Sequence, residues 1–171
     1  ARLDGAARLE DLTIRSSPEE PVEIGEGVSL SHGIVGFGCR VESGSFANHF
    51  VLGTRARLAQ AARLEHTVLG DNSTIHGCEV SYSLLLPSHV QHHNNSFLTA
   101  ATLLGQSNIA AGATLGSNHN SRMNDGELRA GRGFWPGLEC SFKYPSRFAS
   151  FVLVAGGRYP HELNVTLPFS L

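Results

Sequence analysis

Nine histidines in 171 residues are the most reactive feature of this chain, because imidazole takes and returns a proton near neutral pH. They are not scattered. His32, His49 and His66 recur every seventeen residues, and a shorter column is expected at His76 and His93, with His92 beside it and His89 nearby. If each interval is one turn of a coiled chain, neighbouring rings lie about 4.8 Å apart, one strand spacing. Such a column can work as a base or as ligands. It can equally be a polar ladder that stabilises a corner.

A second constellation is GSNHNSR at 116–122, where His119 stands between Asn118 and Asn120 and is followed by Arg122. The imidazole suits a general base, the amides suit a substrate hydroxyl, and the guanidinium suits a carboxylate or phosphate. A turn whose Asn side chains bond their own backbone would use the same residues. Six cations follow the repeats: Arg122, Arg129, Arg132, Lys143, Arg147 and Arg158. They fit either a phosphorylated ligand, such as a nucleotide or coenzyme A, or solvated loop charge. Trp135 is expected to plug the end of the fold rather than to stack on a ligand.

The elements that would position these groups are written in the repeat. Blocks 33–49, 50–66, 67–83 and 84–100 align in register, with aliphatic pairs Ile34/Val35, Val51/Leu52, Val68/Leu69 and Leu85/Leu86; Leu103/Leu104 follows one residue late. From the third place the pattern steps by six, as in Val35, Val41, Ala47 and Leu52, Leu58, Leu64. Six-residue steps of an aliphatic, a small residue and mostly polar positions predict a parallel β-helix. Each coil then buries its aliphatics only against its neighbours, so several coils are required. The expected architecture is all-β, a solenoid of about five to seven coils over 22–118. A short helix within 1–21 would cap it, and a protruding loop and irregular strands would occupy 119–171, either continuing the coil or folding over its end.

Composition sets limits on function. A net charge of −2 argues against a general nucleic-acid binder. Three widely spaced cysteines, Cys39, Cys78 and Cys140, suggest reduced thiols in a cytoplasmic protein. No apolar run reaches the roughly 18 residues of a membrane span, and no charged-then-apolar leader opens the chain. The missing initial Met and the apolar close TLPFSL suggest a piece of something longer.

The six-step with aliphatic then Gly resembles the left-handed β-helix of bacterial hexapeptide acyltransferases and of the acetyltransferase half of sugar-nucleotide pyrophosphorylases. That resemblance implies a homotrimer, an acetyl-CoA or other acyl-CoA donor, and a His acting as base on a sugar or nucleotide-sugar acceptor at a subunit interface. Carried onto this sequence, the base is His119, His66 or His49. Asn118, Asn120 and His93 would then bind the acceptor, and Arg122 and Arg132 would bind phosphates. The segment 109–138, with FASF and YPHELNVTLPFSL after it, is similar to a bacterial family known only as a domain of unknown function. A third resemblance runs through GDNSTIHGC at 70–78 to the γ-class carbonic anhydrases, which implies zinc held by His76, Asp71 and His49. Acyl transfer leads, a non-catalytic trimerisation or scaffold module is the alternative, and the zinc site is a second alternative.

Overall fold

A computed structural model describes residues 1–42, 44–116 and 126–171. Among them every regular element is a β-strand. The long strands stack in parallel: Arg8–Ile14 lies beside Ser29–Val35, then Phe46–Leu52 and Arg63–Leu69. The same twelve-stranded sheet continues through shorter pieces to Leu128–Ala130, Ser141–Phe148 and Arg158–Val165. The result is a parallel β-solenoid of about nine turns.

Each long strand carries one residue in the left-handed region at its middle: Asp11, His32, His49 and His66, with φ between 46° and 53°. The chain bends there, so one continuous sheet forms two walls. The six-stranded sheet from Arg2–Leu3 to Val90–Gln91 supplies another.

The interior is a set of columns. Val35, Leu52, Leu69, Leu85 and Leu103 follow one another in register, as do Leu30, Ala47, Leu64, Val80 and Leu98. All ten are buried. The aliphatic just before each member of the first column points the other way, because side chains alternate along a strand. Ile34, Val68 and Leu84 are therefore about 40% exposed (43%, 39% and 40%). A glycine file, Gly36, Gly53 and Gly70, lets successive rungs close up: a Cβ on Gly53 would lie 2.6 Å from the Asp71 nitrogen.

The structure departs from the sequence expectations in three places. Residues 1–12 form strands, not a helix. Leu12 and Ile14 join the core, and the open edge of Ser29–Val35 offers a full ladder of hydrogen bonds where a short helix would be marginal alone. The coil count is higher because the first residues and the C-terminal third also form rungs, Leu128–Ala130 within the expected loop among them. The seventeen-residue interval also fails on two successive turns: Leu69 pairs with Leu85, sixteen residues on, and Leu85 with Leu103, eighteen on. A corner that spends two left-handed residues at Gln60 and Ala61 spends one, Gly77, on the next turn.

Candidate functional site

The folded corner aligns His32, His49 and His66. Ring centroids are 4.7 and 4.8 Å apart and the planes are tilted by only 10° and 15°. Tyr82 continues the stack 4.7 Å beyond His66. Local backbone explains the residue type, since Asp, Asn and His are enriched where a side chain must accept positive φ. Among the described residues, His32 Nδ1 lies 3.3 Å from Asn48 Oδ1, which also accepts from Ser31 Oγ at 2.9 Å.

Beside the column runs an open groove of about 760 Å³. Its wall is mixed: Ile34, Val51, Val68 and the ring of Phe50 give an apolar strip, and Asp11, Thr13 and Thr67 add polar groups. That ring lies over Gly33, where a Cβ would come within 2.4 Å of it. The groove thus sets three imidazole edges against an aliphatic strip. Rings stacked face to face at this spacing keep their in-plane nitrogens on separate levels, which does not converge them on one shared metal ion.

His76 and Asp71 lie elsewhere. Asp71 Oδ1 accepts from the Thr54 nitrogen at 2.7 Å, and His76 sits on the six-stranded wall. The structure does not bring His76, Asp71 and His49 together, and among the described residues no group of three His, Cys, Asp or Glu is placed to hold a metal ion. The shorter histidine column also changes partner. The pairing Ile75↔Gln91 puts His92, not His93, in register with His76, while His93 meets His92 edge-on at 4.3 Å. His76 Nε2 is buried without a hydrogen-bond partner among the described residues. Burial, the Arg57 charge and the His92 charge lower its pKa.

His119, Asn118, Asn120 and Arg122 lie outside the described residues. The flanking residues are informative: Thr99 pairs in line with Ser81, and Gly116 follows Leu115 as Thr99 follows Leu98. Gly116 therefore lies one place before the corner that carries the histidines and Tyr82, and the sheet is next described at Leu128. Arg132, expected to hold phosphate, donates from Nε to Gln106 Oε1 at 2.8 Å. Cys39, Cys78 and Cys140 are buried free thiols. Desolvation pushes Cys39 and Cys140 up to about 11 and Cys78 up as well, so none is primed as a nucleophile.

The sequence reading passed over a polar network inside the solenoid. Gln91 occupies the interior place below Ile75, and the fully buried His89 meets Ser107 Oγ at 2.9 Å through Nδ1 and Gln91 Oε1 at 3.4 Å through Nε2. Gln91 Nε2 donates to Ser96 Oγ at 3.0 Å, which donates to Cys78 Sγ at 3.0 Å. The signal was the missing aliphatic step in block 84–100.

Burial pushes the His89 pKa down to about 4, the Gln91 hydrogen bond opposing only in part. A folded value below the unfolded 6.5 gives stability that is full above pH 6.5 and lost as pH falls towards 4. Between those limits the loss approaches roughly 3 kcal/mol. Urea midpoints should fall more steeply from pH 7 to pH 4.5 for the native chain than for His89→Leu; equal slopes would mean that His89 does not titrate with unfolding.

A family model described as "Domain of unknown function (DUF4954)" matches residues 1–171. An "Uncharacterized protein" of Treponema pallidum (strain Nichols) is 59% identical over 169 residues. That match covers 99% of this chain and 23% of the relative, so the chain spans about a quarter of the length of the protein it resembles.

Proposed function

The chain belongs to that family, and from the histidine groove we propose that it is a left-handed hexapeptide solenoid that transfers an acyl group from acyl-CoA to a hydroxyl of a sugar-like acceptor. The observation that carries this reading is the file of three parallel imidazoles along an open groove with an aliphatic strip on its wall. In that reading His49 or His66 takes the proton of the acceptor hydroxyl as its oxygen attacks the thioester carbonyl. The thiolate of coenzyme A leaves, and the imidazolium returns the proton to it. The groove is open on one side, and a second subunit of a homotrimer supplies the facing wall.

A non-catalytic scaffold is the second reading, and Tyr82 favours it. A phenol fills the fourth place at the same spacing as the imidazoles, as a ladder selected only for flat rings would do.

A thermal-shift screen separates the readings. A ligand that binds only the folded state at a hundredfold its dissociation constant adds about 2.7 kcal/mol. Stabilisation by acetyl-CoA or a nucleotide sugar is expected, whereas silence from both classes favours the scaffold. Selective stabilisation by zinc would instead revive a metal site.

A further inference from the structure

The outward column beside the histidines changes character along the solenoid. It runs Ile34, Val51, Val68, Leu84, Thr102, and then Arg129 and Arg147. The two arginines are directly opposite on neighbouring parallel strands, roughly 4.8 Å apart at the backbone. Like charges so placed destabilise a sheet.

Elsewhere the fold neutralises this arrangement. Arg2 and Arg40 share Glu23 at 3.5 and 3.2 Å, and Arg57, opposite Arg40, is paired with Glu42 at 3.0 Å. On the arginine pair, Glu127 reaches Arg129 at 3.2 Å. Arg147 has no carboxylate partner among the described residues.

Both arginines line a cleft of about 420 Å³. Leu104 and Phe148 give it apolar lining, and Thr102 and Ser150 add hydroxyls. Leu104 is 52% exposed, a large apolar side chain left open beside uncompensated positive charge.

We infer that this cleft binds a phosphate monoester carried on an apolar body. The phosphate lies between the Arg129 and Arg147 guanidiniums, whose planar donors match its oxygens. The apolar body covers Leu104. The site stands on the arginine pair and the cleft, and does not require the histidines to be catalytic.

Octyl phosphate, octyl glucoside and inorganic phosphate, titrated calorimetrically into the intact chain, test it. Octyl phosphate should bind at least tenfold tighter than either of the others. Arg147→Gln should weaken it by about tenfold or more, the loss of a charge-assisted hydrogen bond, and Leu104→Ser should also weaken it. Arg57→Gln, which removes an equal charge from the six-stranded wall, should leave binding unchanged. No binding of octyl phosphate overturns the site. So does inorganic phosphate or octyl glucoside binding as tightly as octyl phosphate, or an equal loss in Arg57→Gln.

Discussion

Replacing His32, His49 and His66 together by Asn is expected to slow acyl transfer by about 10²–10⁴, the usual worth of a positioned general base. Asn is the apt substitution because all three sites hold positive φ, a conformation that Asn adopts readily. The backbone corner then survives while the imidazoles go. Tyr82→Asn is the matched control: it removes a ring from the same stack without removing an imidazole. Turnover of acetyl-CoA with a panel of sugar and nucleotide-sugar acceptors gives the readout. Native turnover in the triple variant, or an equal loss in Tyr82→Asn, would return the column to a purely architectural role.

The second large effect concerns the core. Leu69→Ala should cost about 2–5 kcal/mol, because deleting a fully buried leucine removes its transfer energy and leaves a cavity between neighbours that cannot close. Leu69 is fully buried and sits between Leu52 and Leu85 in the interior file. Val68→Ala, one residue away on the outer face and 39% exposed, should change stability by no more than about 0.5 kcal/mol. Urea unfolding of both variants checks the contrast. Near-equal costs would mean that the two aliphatics are not sorted into inner and outer files.

What could be read from the sequence was whatever recurred at a constant interval. His32, His49 and His66, and Val35, Leu52 and Leu69, were legible because three successive turns use the same number of residues. Leu85 and His92 were not, because the number spent at a corner depends on how many residues turn left-handed there. Gln60 with Ala61, against Gly77 alone, is a backbone difference with no hydrophobic trace. The first strands were misread because Ala, Leu, Arg and Glu favour helices in isolation, and an unsatisfied sheet edge outweighs that preference. His89 read only as a neighbour of the second histidine column and Gln91 escaped altogether, because a search for aliphatic steps passes over an interior polar pair. Arg129 and Arg147 looked like two of several scattered cations until the pairing set them side by side.

One irregularity of the stack has a practical consequence. Ala101 pairs with Leu128, 27 residues on, whereas Leu128 pairs with Ser146 after 18, yet the sheet passes through both without a break. A rung answers mainly to the rungs above and below it, and doubling the length of an excursion costs only about 0.6 kcal/mol in closure entropy. The interval from Gly116 to Leu128 is therefore a splice point. A foreign epitope grafted there should leave the order of the stack on either side unchanged.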